Sequence, residues 1–121
     1  MNSIKNSNMK TIKAVVAFAV ILGLGVALAG AEEAKALWDK NCAACHGRDG
    51  KGDTRMGRKA GVKDYTDPKV QESLDDAKAF KSVKEGLTED GKERMKPFAE
   101  KLSDDEIKAL IAHMKTFKKT E

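Results

Sequence analysis

The sequence predicts an all-α domain, on three observations. Ile107, Leu110, Ile111, Met114 and Phe117 recur at helical spacing and form one apolar stripe behind Ser103-Asp104-Asp105-Glu106. Ala34, Leu37, Trp38 and Cys42 repeat that spacing further upstream, with Glu32, Glu33, Lys35, Asp39 and Lys40 on the other face. No stretch has the period-two alternation of a half-buried strand, and neither an internal repeat nor a low-complexity segment interrupts the chain.

The first 31 residues read as an export signal. Lys5, Lys10 and Lys13 form a basic start with no acidic residue, and Ala14 to Leu28 is apolar or glycine throughout. Ala29-Gly30-Ala31 supplies the small-x-small pattern of a cleavage point, placed between Ala31 and Glu32. A retained anchor is the alternative, because the apolar stretch is just long enough to span a bilayer. The expectation is a cleaved signal peptide over 1–31, one domain over 32–121 and, after cleavage, no membrane insertion. Removing three lysines from 23 basic residues leaves 20 against 19 acidic ones, a net charge of +1. The basic pI of the full chain is therefore no argument for nucleic acid or anionic lipid as a partner.

The first helix is predicted from Glu33 to about Cys45, and it carries the chain's densest chemistry. Asn41-Cys42-Ala43-Ala44-Cys45-His46-Gly47 holds both cysteines and one of the two histidines. Cys-x-x-Cys-His reads as a c-type haem attachment signature. Two thiols one helical turn apart can each form a thioether with a haem vinyl group, and His46 follows as an iron ligand through neutral imidazole. A thioredoxin-like dithiol would want a β-α-β context, which is absent. A structural zinc site needs four ligands, and only His113 remains as another histidine. A disulfide suits an oxidising compartment but gives no reason for His46.

Gly47 to Thr54 is a glycine-rich charged turn, without the preceding strand or Gly-Lys-Ser/Thr ending of a phosphate loop. Arg55 to Lys63 reads as a basic, solvated loop. Asp67-Pro68 marks an N-cap and first helical position, opening a short helix to about Leu74. Asp75 or Asp76 caps the next helix, which carries Phe80 and Val83 and stops near Gly86. Thr88 to Arg94 is predicted as a polar loop leading into Met95-Lys96-Pro97-Phe98. The last helix follows Ser103, with Lys115, Lys118 and Lys119 at the end where its dipole favours cations.

With the attachment signature, the Ala34/Trp38/Cys42 run and the methionine loop before the last helix, the sequence resembles small mono-haem class I c-type cytochromes that bacteria export. The resemblance covers nearly all of 32–121. It implies four or five helices around one covalently bound haem c, with the Ala34/Trp38 face crossing the last helix. It also implies Cys42 and Cys45 as thioether residues and His46 and Met95 as axial iron ligands. Met95 has the expected place in the chain, although Lys96 separates it from the proline that directly follows the methionine in many relatives. Met114 sits on an apolar stripe and reads as core, Met56 comes too soon after the signature, and His113 flanks the core face. Arg58 and Tyr65 are weaker candidates for bonding a haem propionate. No proline lies between His46 and Pro68, so the proline carbonyl that often receives the ligand histidine's N–H has no obvious counterpart.

The function implied is one-electron transfer by an Fe(III)/Fe(II) couple with His/Met ligation, between transient redox protein partners in the periplasm. Catalysis is not expected. The alternative is a haem-based small-ligand sensor or weak peroxidase with a labile or open sixth position. No distal histidine and arginine arrangement for peroxide cleavage is evident in the sequence.

Overall fold

Charged residues make up 35% of the chain, so its apolar side chains suffice for one small core and little more. The computed structural model describes residues 30–118. The expected signal segment lies outside the described residues except for Gly30 and Ala31, as does Lys119. Residues 33–118 pack as one unit.

Six helices and one hairpin succeed each other among the described residues: α1 (30–41), α2 (Ala43–His46), α3 (Arg55–Ala60), α4 (Pro68–Glu72), α5 (Asp76–Glu85), β1 (Leu87–Glu89), β2 (Lys92–Met95) and α6 (Asp104–Lys115). The expected first helix is interrupted at Cys42. Its backbone nevertheless continues the helical pattern, with Cys42 N–H donating to the Trp38 carbonyl at 2.8 Å.

The predicted stripe of α6 forms the centre of the core. Ile107, Leu110, Ile111 and Met114 are buried, together with Leu102 and, from α1, Ala34 and Trp38. Trp38 bridges the two elements, its ring 5.7 Å from His113 and 5.0 Å from Phe117. Met114 is therefore core, as its spacing predicted. The Ser103 hydroxyl accepts from Glu106 N–H while the Glu106 carboxylate accepts from Ser103 N–H at 2.7 Å, completing a reciprocal cap.

α5 lies antiparallel to α6, as ion pairs at their opposite ends show. Lys84 near the end of α5 meets Asp104 at the start of α6 at 2.8 Å, and Lys115 at the end of α6 meets Asp76. These pairs are solvent-exposed and fix little by themselves. Asp75 caps α5 through Lys78 N–H, and Asp67 caps α4 through Lys69 N–H, both as predicted.

Two segments differ from the sequence reading. The basic stretch expected as loop contains α3, capped by Thr54, whose side chain accepts from Gly57 N–H, and ended by left-handed Gly61. The polar loop expected over 88–94 is an antiparallel hairpin. Asp90 and Gly91, at φ 51° and 71°, make its two-residue turn. Backbone bonds from Phe98 N–H to the Val83 carbonyl and Ala99 N–H to the Lys84 carbonyl return the chain to the end of α5.

Candidate functional site

The end of a helix leaves carbonyls without intrahelical partners, and the Cys42–His46 turn is held by the way these are satisfied. The Cys45 carbonyl accepts from the Thr54 hydroxyl at 2.7 Å and the His46 carbonyl from Gly52 N–H at 2.8 Å. The Gly47 carbonyl accepts from the buried Trp38 indole at 2.9 Å. Three groups from α1 and the following loop thus hold three successive carbonyls. Gly47 itself, at φ 77°, turns the chain out of the helix.

α3 closes against this turn at Gly57. A Cβ there would collide with the carbonyl oxygens of Cys45 and Gly52, both backbone atoms with no freedom to swing away. The residues that set this approach are Thr54, as cap and as donor to Cys45, and Gly57. Both were passed over in the sequence because neither bears the signature's chemistry.

Cys42, Cys45 and His46 are brought together on this turn, all half-buried, with both cysteines as free thiols. Burial and the neighbouring Cys45 push the Cys42 thiol up to about 11, so it is protonated at neutral pH. Burial holds His46 below its ordinary value, so its imidazole is neutral. Nδ1 of His46 is buried with no hydrogen-bond partner among the described residues. The ring lies 5.5 Å from Tyr65 at an interplanar angle of 23°, and 5.6 Å from Trp38.

Met95 is carried by a different element, at the end of β2, where it is half-buried but not among the side chains packed on the core. Gly86, at φ 80°, passes under it: a Cβ at Gly86 would come within 2.7 Å of the Met95 carbonyl and 2.9 Å of Pro97 N. The rival methionine Met56 is 57% exposed on α3. Arg58 is occupied by an ion pair with Asp53. Burial by Tyr65's neighbours raises its phenol above the ordinary value.

The donor set fits a covalently bound haem. Two free thiols share a turn with a neutral imidazole, whose enclosed Nδ1 leaves Nε2 for a metal. Packed against the core that includes Trp38, the side chains of Leu37, Tyr65, Leu74, Phe80, Val83 and Phe98 are only half-buried, leaving apolar surface that a flat hydrophobic group could cover. Among the described residues no group of three or more His, Cys, Asp and Glu side chains is placed to hold a metal ion by itself.

The sequence matches the family model for cytochrome c oxidase, cbb3-type, subunit III, over residues 29–114. Among solved structures, the KustC0563 c-type cytochrome is similar at 34% identity and a TM-score of 0.64, covering 70% of this chain and 96% of its own. A tyrosine-to-phenylalanine mutant of Kustc0563 is similar at 32% identity and a TM-score of 0.63, covering 71% of this chain and 99% of its own. No curated protein matches.

Proposed function

Because the chain belongs to the c-type cytochrome family and has its class I fold, a family that binds haem c and transfers electrons through it, we propose that it is an exported one-electron carrier. Haem c, when bound, supplies a one-electron Fe(III)/Fe(II) couple. The observation that carries the reading is the turn on which two free thiols and a neutral imidazole meet.

Each chain residue has a distinct part. Cys42 and Cys45, one turn apart, would hold the group through two thioethers. His46 would hold the iron through Nε2, needing no proton release at neutral pH because burial already keeps the ring neutral. Thr54, Gly52 and Trp38 hold the carbonyls around it, so the ligand's backbone has little freedom to move when the charge on iron changes. Met95 would hold the iron as its second protein ligand, a soft neutral thioether that favours the reduced state relative to a second imidazole. Its carriage on a hairpin tied to the end of α5 keeps it on a separate support from His46. With both residues holding the group in either oxidation state, the protein would act as a carrier and not as an enzyme. The partners are transient redox proteins of the periplasm, and the mature chain begins at Glu32.

The test is the near-infrared sulfur-to-iron(III) absorption of the oxidised protein. It is expected in the natural protein and lost in Met95→Ala. A band that is absent at neutral pH, or that survives Met95→Ala unchanged, overturns Met95 as ligand.

A further inference from the structure

An imidazole bound to a metal must be held in rotation about the metal–nitrogen bond, usually by a hydrogen bond from its other ring nitrogen. Among the described residues His46 has no such bond: its Nδ1 is enclosed and meets no partner. What touches the ring instead is aromatic. Tyr65 stacks on it at 5.5 Å and 23°, Trp38 lies 5.6 Å away at 45°, and Tyr65 and Trp38 are themselves 6.4 Å apart edge to face. The three centroids form a nearly equilateral triangle. Tyr65 is thus the ring stacked on the imidazole, while Trp38 meets it tilted.

Tyr65 is fixed independently of the ring it covers. Its N–H donates to the Gly50 carbonyl at 2.8 Å, and its carbonyl accepts from Gln71 Nε2 at 2.6 Å. The same Gln71 nitrogen donates to the Met114 carbonyl on α6 at 3.0 Å. Asp64 beside it accepts from both the backbone and the hydroxyl of Thr66. The loop bearing Tyr65 is thus tied to the core helix on one side and to the attachment loop on the other.

We propose that Tyr65 is the positioning residue for His46: its ring face sets the imidazole plane in place of a hydrogen bond at Nδ1. The proposal rests on His46 being the iron ligand. It assigns the work to the ring and not to the hydroxyl, so phenylalanine preserves it and leucine, similar in bulk but without a flat face, does not.

The experiment is electron paramagnetic resonance of the haem-loaded ferric protein, with histidine labelled by nitrogen-15. Hyperfine coupling to a histidine nitrogen in the natural protein establishes the ligand, and its absence overturns the ligand reading and this proposal with it. With coupling present, Tyr65→Leu is expected to shift and broaden the g values, which report the imidazole plane, while Tyr65→Phe leaves them at the natural values. Unchanged g values in Tyr65→Leu, or equal shifts in both variants, overturn Tyr65's role and leave the ligand reading standing. A simple loss of packing would lower the melting temperature of Tyr65→Leu without moving the g values. Should Tyr65→Leu fail to fold, the natural protein still decides: the quadrupole coupling of the remote nitrogen, measured on unlabelled protein, is expected to be that of an imidazole N–H with no acceptor. A hydrogen-bonded value there overturns the proposal.

Discussion

Glycine inside a helix ordinarily costs about 1 kcal/mol relative to alanine, so replacing it should stabilise the helix. At Gly57 the sign is reversed by what lies opposite. The added methyl would meet the carbonyls of Cys45 and Gly52, and both belong to backbone held by further hydrogen bonds. Overpacking against groups unable to move costs roughly 1–3 kcal/mol, which outweighs the helical gain. Gly57→Ala is expected to lower the unfolding midpoint of the haem-loaded protein in denaturant, and a midpoint equal to or above the natural one would refute the close approach. Gly61, with nothing within 4 Å but φ at 71°, marks the contrast: there conformation and not space calls for glycine. Cys42, Cys45 and His46 are legible in the sequence because their chemistry demands adjacency, and a helical turn provides it. Tyr65, 19 positions after His46, is brought to the imidazole by a loop whose course depends on Gln71 and Gly50, and no local spacing encodes that.

At the scale of elements, legibility followed the apolar stripe. α6 and α1 were readable because one face of each is core, and α4 and α5 because Asp67-Pro68 and Asp75 announce their starts. α3 escaped because its six residues, RMGRKA, bury only Gly57 and so display no apolar face. The available signals are a threonine cap and a glycine stop with six residues between them. The hairpin escaped for a similar reason. Asp90-Gly91 is a strong two-residue turn, but β1 is exposed throughout and β2 half-buried only at its last two positions, so no alternation flanked the turn. α6 also yields a test of how far the domain depends on one helix. Ser103→Ala removes the acceptor for Glu106 N–H and half of the reciprocal cap, costing about 1 kcal/mol. In a domain of this size that corresponds to a melting temperature lower by roughly 4–8 °C. Ser103→Asp, which retains an acceptor, is expected to melt close to the natural protein, and an equal loss in both variants would assign the effect to something other than the cap.

For the whole molecule the deciding quantity is how much apolar surface the polypeptide buries unaided. Among the described residues the buried hydrophobic set is Ala34, Trp38, Leu102, Ile107, Leu110, Ile111 and Met114, drawn from α1, α6 and the residue just before α6's cap. The side chains from α4, α5, the loop between them and the loop before α4 (Val70, Phe80, Val83, Leu74 and Tyr65) reach only half-burial, as do Met95 and Phe98. Folding of a chain this short is marginal when the core is small, since ordering each residue costs about 1–2 kcal/mol of backbone entropy while each fully buried aliphatic or aromatic side chain returns only about 1.5–3 kcal/mol. The half-buried set is where the balance must be made up, and a porphyrin would cover it. The thioethers of Cys42 and Cys45 would add a covalent tie between that disc and the polypeptide. Cys42→Ser combined with Cys45→Ser, expressed without haem incorporation, is therefore expected to give a chain with mostly lost far-ultraviolet helical ellipticity, while the haem-loaded natural protein retains it. Near-native ellipticity with a cooperative melt in the haem-free chain would show that α1 and α6 suffice as a core, and that the half-buried residues serve the site without being needed for the fold.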